Sequence, residues 1–348
     1  NINFDNSKVE EHGLNLKHQI IFCDGKMLSF PKINGVKINS FSDFECQNDD
    51  STGELNAALA NYGYTISVDK NTIVENPVEI LFFNTAKNSF IQYRNQMQIG
   101  ENSEIKIVEK IQDLSHSSNF ANNFTRIICG KNSNVEYNKI QTNTDDSKLI
   151  DCMRVFQEQN STCNINTLIF GGGFIRNNLN FEQNGSNCES NMNGISILDK
   201  NQFVDNHTFV DHKTANCRSN EMYKGIYLDE SKGVFNGKIM VRKNAQKIDA
   251  FQSNNNLLLS DNSTIDSKPQ LEIYADDVKC SHGCTIGQLD KNALFYLKSR
   301  GIRHDEAKAV LTYTFASEVL ENLSIAEVKS LCQILLAKKL NVDINLNL

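Results

Sequence analysis

The sequence has no tryptophan, only three prolines in 348 residues, and no apolar run approaching the roughly 20 residues that a membrane-spanning helix needs. It also has no block of Lys and Arg, and its 35 basic and 42 acidic side chains leave a net charge of −7. This balance argues against binding to nucleic acid or to an anionic membrane surface. We therefore expect a globular protein with neither nucleic-acid nor membrane partners.

Cysteine is also sparse for a disulfide-rich fold, at ten residues in the whole chain. No C-x-x-C pair occurs, so a zinc ribbon or thioredoxin-type chemistry is not expected. The chain begins at Asn1, and no charged segment followed by an apolar stretch indicates a secretory signal. These features together favour a reducing compartment, and we expect the cytoplasm.

The middle of the chain reads as many short strands, because apolar residues alternate with polar ones over a few positions at a time. Turns rich in Asn, Ser and Gly separate these segments, and no long amphipathic helix interrupts them. The composition and pattern predict a mainly β fold. The clearest segments are Val78–Phe82, Ile105–Ile107, Val135–Lys139, Ile165–Ile169 and Ile239–Val241.

One turn signal recurs along this region at intervals of roughly 24 to 30 residues. Such a period is typical of a β-solenoid, in which stacked coils bury one continuous apolar column. Asn suits the left-handed corner positions and can hydrogen-bond to the same residue in the next coil. A β-sandwich with frequent hairpins is the alternative. The turn asparagines are Asn102, Asn132, Asn160, Asn184 and Asn262.

The last sixty or so residues change to a helical period. Asp290 is a candidate N-cap for a helix over 292–300, and a second helix is expected over about 305–322. Ser324 and Glu327 have the spacing of a capping box that opens a third helix. The apolar residues expected to be largely buried in these helices include Val310, Leu311, Phe315, Leu331 and Leu335.

The densest candidate for chemistry is the segment that holds Cys280, His282 and Cys284. In an extended strand these three side chains point to one face, which would present two thiols and an imidazole to a soft metal ion. A structural zinc site needs four ligands, and no second pair is close in sequence. The site is therefore open, completed by a partner, or simply a loop.

Three other motifs have less functional weight. The pairs Asp205–His207 and Asp211–His212 could serve acid–base chemistry, but we interpret them as solvated or interface residues. The run Gly171–Gly173 is not followed by Lys-Ser/Thr, so it predicts close coil packing or a bulge rather than a phosphate loop.

Several blocks resemble the SufD branch of the SufB/SufD family, which provides scaffold subunits of the SUF iron–sulfur cluster assembly machinery. The C-terminal blocks ADDVKCSHG (275–283), GQLD (287–290) and ALFYLKSRGI (293–302) are the most specific. Upstream blocks that resemble the family are FVDH (209–212), YKGI (223–226), VFNGK (234–238), AQKIDA (245–250) and NLLLS (256–260).

The resemblance implies a right-handed parallel β-helix followed by a small C-terminal α-helical domain. It divides the chain into an N-terminal segment (1–76, with the family's helical segment shortened), a β-helix core (77–287) and a helical domain (288–348). It also implies a non-catalytic scaffold that pairs with a SufB-like subunit, or with itself, and docks a SufC-like ATPase through its C-terminal helices.

The resemblance makes Cys280 and His282 candidate ligands for iron or an iron–sulfur cluster, held transiently and shared with the partner subunit. It gives no support to Cys284, since a small residue is more usual there in the family. A plastid location is compatible with the resemblance if a transit peptide has been removed. Two alternatives are a β-helix enzyme that acts on polysaccharides and a SufB-type subunit.

Overall fold

The structure is a computed structural model that describes residues 4–41, 51–115 and 117–341. It is mainly β, with 52% of residues in strands and 17% in helices. The first strands are β1 (His18–Cys23), β2 (Lys26–Ser29), β3 (Val36–Ser40), β4 (Tyr64–Val68), β5 (Val78–Asn84) and β6 (Phe90–Ile99). They are followed by β7 (Glu104–Asp113), β8 (Phe120–Cys129), β9 (Asn134–Thr142), β10 (Lys148–Gln157), β11 (Thr162–Gly171), β12 (Phe174–Gln183) and β13 (Glu189–Leu198). The last strands are β14 (Phe203–His212), β15 (Arg218–Tyr227), β16 (Lys232–Val241), β17 (Ile248–Leu258), β18 (Thr264–Ile273) and β19 (Val278–Gly287).

From β4 onward, successive strands alternate between two sheets, so each pair of strands makes one coil of a parallel β-solenoid of about eight turns. The first sheet has the order β19-β17-β15-β13-β11-β9-β7-β5-β1-β2, and the second has the order β18-β16-β14-β12-β10-β8-β6-β4-β3. Pairing is parallel except for β1 with β2 and β3 with β4. The predicted solenoid is therefore confirmed, and the β-sandwich alternative is wrong.

The core is a stack of apolar side chains in register between the two sheets. In the first sheet, Ile107 pairs with Tyr137, Tyr137 with Ile165, and Ile165 with Met192. All four side chains are fully buried. Because coils repeat at about 4.8 Å, this stacking gives each coil apolar contacts that it could not make alone.

The predicted corner asparagines Asn102, Asn132 and Asn160 lie at successive corners, with left-handed φ values of 55°, 55° and 59°. The next corner residue is Asn187 (φ 58°), so the prediction of Asn184 is wrong. Asn262 belongs to a different set of corners, since it precedes β18 in the second sheet.

The Gly171–Gly173 run has the structural role that its sequence predicts. The pairing of β11 with β9 shifts register between Ile169 and Gly171, which marks a bulge. A Cβ atom on Gly173 would lie 1.9 Å from the carbonyl oxygen of Asp145, so only glycine fits this close approach.

The described helices are α1 (Ser7–His12), α2 (Ser51–Leu59), α3 (Lys291–Ser299), α4 (His304–Leu320) and α5 (Ala326–Lys339). Helices α4 and α5 pack on the outer face of the first sheet. Lys224 of β15 extends this contact, because its Nζ atom donates to the Phe315 carbonyl at 2.8 Å and lies 4.3 Å from the Phe315 ring centre. The shared apolar cluster includes Val108, Ile140, Leu168, Ile195, Ile197 and Ile226 from the strands and Ala316, Val319, Leu320, Val328, Cys332 and Leu336 from the helices.

The N-terminal cap of one C-terminal helix and the burial of several apolar side chains differ from the sequence prediction. Asp290 caps α3 as predicted, accepting from the Asn292 backbone N–H at 2.8 Å. The capping box at Ser324 is wrong, because the Ser324 hydroxyl contacts Glu136 of β9 instead. The residues predicted to be largely buried, namely Val310, Leu311, Phe315, Leu331 and Leu335, are only half-buried.

The two sheets also include strands from before residue 77, since β1 pairs with β5 and β4 pairs with β6 in parallel. The division of the chain into domains stays a prediction. Across the described ranges, no helix combines the length and the apolar character needed to cross a membrane.

Candidate metal or cluster site at the end of the solenoid

The segment with Cys280, His282 and Cys284 forms β19, which is the terminal strand of the first sheet. One side of β19 pairs with β17, and β18 occupies the corresponding end of the second sheet. Most side chains of β19 are exposed, whereas those of the coils before it are largely buried. We call this surface, formed by β18 and β19, the open end of the solenoid.

The register shows which way the three candidate ligands face. Cys280 is paired with Ala250, His282 with Gln252 and Cys284 with Asn254, and these three residues of β17 are buried in the solenoid interior. The thiol of Cys284 donates to Ser267 Oγ at 3.1 Å, across to the second sheet. The three side chains therefore share the interior face of the last coil, as their spacing predicts.

The three candidates differ in environment. Cys280 is half-buried against the apolar cluster that includes Ile248 and Ala250, and this burial raises the pKa of its thiol. His282 and Cys284 are exposed. Within residues 4–41, 51–115 and 117–341, no three His, Cys, Asp or Glu side chains are grouped so that they could hold a metal ion. The assignment of Cys280 and His282 as ligands stays a prediction.

A buried polar layer lies directly behind His282. Gln252 donates through Nε2 to Glu221 Oε2 at 2.8 Å, and the other carboxyl oxygen of Glu221 contacts the hydroxyl of Thr208. Complete burial raises the pKa of Glu221 to about 7. Sequence reasoning missed Gln252 and Glu221, because only the strand register shows that they lie in one column with His282.

The two Asp–His motifs are structural parts of the solenoid wall. Asp205 lies between Arg176 (2.9 Å) and His207 (2.8 Å), and Asp211 pairs with Arg242 at 2.8 Å.

The interpretation of both motifs as solvated residues is wrong for Asp205 and Asp211, which are buried, and also for His212. That residue is fully buried, hydrogen-bonds to Ser219 at 2.9 Å, and has a pKa lowered to about 4 by burial.

A second buried charged cluster lies in the middle of the solenoid, and the sequence analysis did not identify it. Lys139 Nζ lies 3.0 Å from Asp151 Oδ2, and each side chain is 1% exposed. Tyr137 donates to Glu109 at 2.6 Å in the same region, and burial together with the charge of Asp151 raises the pKa of Glu109. The cluster is enclosed on all sides by neighbouring coils, so we assign it to the stability of the fold.

Helix α3 offers a different kind of surface. None of its residues is buried, and Phe295 and Tyr296 are 73% and 56% exposed. Adjacent exposed aromatic side chains are typical of protein–protein contacts. The apolar faces of α4 and α5, in contrast, are used against the first sheet.

Comparison with known proteins connects this architecture to one family. The family model of the SUF system FeS cluster assembly SufBD core domain matches residues 82–315. The chain is 34% identical over 231 residues to the iron-sulfur cluster assembly protein SufD of Escherichia coli, an alignment that covers 66% of this chain and 55% of that protein.

Two other relatives are similar over a larger part of the chain. An iron-sulfur cluster assembly SufBD family protein of Synechocystis is 29% identical over 285 residues, covering 79% of this chain and 63% of the relative. The chloroplastic protein ABCI7 of Arabidopsis thaliana is 29% identical over 275 residues, covering 76% of this chain and 58% of the relative. The matched regions span 55% to 63% of the length of these three relatives.

Proposed function

Because this chain belongs to the SufBD family of the SUF iron–sulfur cluster assembly system, we propose that it is a SufD-type scaffold subunit of that machinery. The open end of the solenoid supports this role best. There β19, the last of the described strands, has a free edge and presents Cys280 and His282 on one face.

The free edge of β19 supports pairing with a second SufB/SufD-type subunit. Exposed strand edges pair readily with another strand, because their backbone N–H and C=O groups have no partner in the sheet. A SufB-like subunit added here would bring its own side chains next to His282. Iron or a cluster would then be a transient cargo shared by the two chains, and a homodimer would offer the same geometry.

Helices α3 to α5 support the docking of a SufC-like ATPase. Because α4 and α5 pack on the first sheet and α3 contacts α4, the exposed aromatic residues Phe295 and Tyr296 of α3 are presented beside these packed helices. ATP hydrolysis would be performed by that partner, so this chain would be a non-catalytic subunit. We place it in the cytoplasm or, like the chloroplastic relative, in a plastid.

Polysaccharide-active chemistry is less well supported than scaffolding. A glycosidase needs a pair of carboxylates free to act on opposite sides of the sugar bond. On the outer face of the second sheet, Asp205 and Asp211 are instead held by Arg176 and Arg242. Binding of the chain to an oligosaccharide array, without co-purification of an ATPase, would reverse this preference.

The proposal is tested by co-expressing the chain with SufB-like and SufC-like subunits and measuring iron and sulfide in the anaerobically purified complex. His282→Ala is expected to lower the iron content without lowering the melting temperature of the isolated chain, because His282 is exposed. Cys284→Ala is the matched control on the same strand, and its effect should be smaller. Normal iron and sulfide content in the His282→Ala complex would refute the ligand assignment.

A further inference from the structure

Gln252 is the residue of β17 that pairs in register with His282 of β19. Its side chain is 2% exposed and lies in the solenoid interior, on the same face as the imidazole. Neighbouring strands are about 4.8 Å apart, so a glutamine amide in one coil is within reach of a histidine ring in the next. Only the oxygen end of the amide can accept a hydrogen bond from the ring, whereas the NH₂ end can only donate.

The hydrogen bond to Glu221 fixes the orientation of the amide. Gln252 Nε2 donates to Glu221 Oε2 at 2.8 Å, while Glu221 Oε1 contacts the Thr208 hydroxyl. Both oxygens of the Glu221 carboxylate are therefore acceptors, Oε1 from the Thr208 hydroxyl and Oε2 from the Gln252 amide. The amide oxygen of Gln252 must therefore point away from Glu221.

This amide oxygen is buried and has no hydrogen-bond partner among the residues that the structure describes. A buried acceptor without a donor is unfavourable, and such atoms in native proteins call for an explanation. The unpaired oxygen lies one coil away from the ring N–H of His282, which is a donor. The Gln252 oxygen is thus an available acceptor for a hydrogen bond from the His282 ring.

The space for this amide is made by Gly237 on β16 of the opposite sheet. A Cβ atom at that position would lie 2.0 Å from Gln252 Nε2 and 2.9 Å from Gln252 Cδ. Any larger residue would displace the amide from Glu221. Thr208, Glu221 and Gly237, from three different strands, therefore hold Gln252 in one orientation beneath His282.

We infer that Gln252 is a positioning residue for His282. Its amide oxygen accepts a hydrogen bond from one ring N–H of His282 when the other ring nitrogen binds iron or a cluster. Histidine ligands of metals almost always donate their second N–H to a carboxylate or carbonyl, which fixes the tautomer and the ring orientation. Glu221 and Gly237 act through Gln252. This inference rests on the proposed role of His282 as a ligand.

The test uses the full chain labelled with ¹⁵N at its seven histidines, with Zn²⁺ as a diamagnetic probe for imidazole and thiolate ligands. His282→Ala identifies the ring signals of His282 by their loss. In the zinc-loaded wild type, we expect His282 in a single tautomer, with a ring N–H that exchanges slowly with water. In Gln252→Met this N–H should exchange rapidly, and zinc affinity should fall about 10- to 100-fold.

Asn256→Leu is the matched control, because Asn256 is also a buried amide of β17 with an unpaired oxygen but pairs in register with Ile286. It should leave the His282 signals and zinc affinity unchanged. A mixture of tautomers at His282 in the zinc-loaded wild type would overturn the inference, even if Gln252→Met failed to fold.

Two outcomes separate this inference from the proposed function. If His282→Ala weakens zinc binding but Gln252→Met does not, His282 remains a ligand and the role of Gln252 is refuted. If His282→Ala leaves zinc binding unchanged, both the ligand assignment and the inference fail.

Discussion

The side-chain amide of Asn132 donates to Oδ1 of Asn102 at 2.8 Å, joining one coil of the solenoid to the one before it. Asn160 donates to Asn132 at 2.9 Å and Asn187 donates to Asn160 at 3.0 Å, so the bonds form a ladder along the solenoid axis. Each residue also adopts the left-handed backbone conformation of the corner. Asparagine thus meets a backbone requirement and a side-chain requirement at once.

The ladder gives the first prediction. Asn132→Ala removes one donated and one accepted hydrogen bond and places alanine at a φ of 55°, so the free energy of unfolding should fall by about 2 kcal/mol. Asn132→Gly should cost only about 1 kcal/mol, because glycine adopts this φ without strain. Urea denaturation followed by circular dichroism measures both, and exposed Lys131→Ala is the control. A larger loss for glycine than for alanine would contradict this explanation.

The buried ion pair gives the second prediction. Lys139→Met leaves the carboxylate of Asp151 without its cation inside the solenoid, which should cost about 3–5 kcal/mol. Replacing Asp151 as well, in Lys139→Met/Asp151→Leu, should restore much of this loss because no charge is left uncompensated.

The control for the ion pair is Lys8→Met, which breaks the exposed contact of Lys8 with Glu11 and should destabilise the fold far less than Lys139→Met, because solvent screens exposed charges. Equal costs for Lys8→Met and Lys139→Met in urea denaturation would show that burial does not set the value of the ion pair.

The third prediction concerns pH. Burial raises the pKa of Glu221 to about 7 in the folded chain, against an ordinary value of 4.5. The folded state therefore holds this proton more tightly than the unfolded state, and the resulting stabilisation is present below about pH 4.5 and is lost as the pH rises through about 7. Glu221→Gln should make the melting temperature fall less between pH 5 and pH 8, a range chosen to bracket this pKa.

The exposed residue Glu158 provides the control for this pH effect. Glu158→Gln should leave the melting temperature as dependent on pH as in the wild type. If the melting temperature of Glu221→Gln falls with rising pH as much as that of the wild type, other groups cause the effect.

The fourth prediction concerns the docking surface on α3. Phe295→Asp combined with Tyr296→Ser should reduce capture of a SufC-like ATPase at least about tenfold, because charge at the centre of an apolar contact costs more than 1.4 kcal/mol. The fold should be unchanged, since both side chains are exposed. Ile73→Asp, at an exposed apolar residue far along the chain, is the control. Undiminished capture would place the ATPase elsewhere.

The local chemistry of the turns and caps was readable from the sequence. Asn102 and Asn132 were found because left-handed corners favour asparagine and the coil length repeats. Asp290 was found because an N-cap depends on the backbone two residues away. The shared face of Cys280 and His282 also follows from alternation within one strand.

In two places the sequence prediction failed because a contact with a residue distant in sequence decides the local structure. The spacing of Ser324 and Glu327 has the form of a capping box, but Glu136, 188 residues earlier, contacts the Ser324 hydroxyl. Asn184 has a turn-like neighbourhood, yet the corner is at Asn187, where the amide reaches Asn160 of the previous coil. In both cases the contact made in the folded chain, and not the local sequence pattern, decides the role of the residue.

The sequence by itself determined that the chain is a solenoid of β-coils with helices at its C-terminus, because strand alternation, corner residues and caps are local properties of the chain. Only the tertiary structure decided which residues share a column. Glu221, Gln252 and His282 are separated by about 30 residues at each step, yet register brings them into adjacent coils. Register depends on the length of every intervening turn, so the sequence near His282 carries no sign of the amide that lies beneath it.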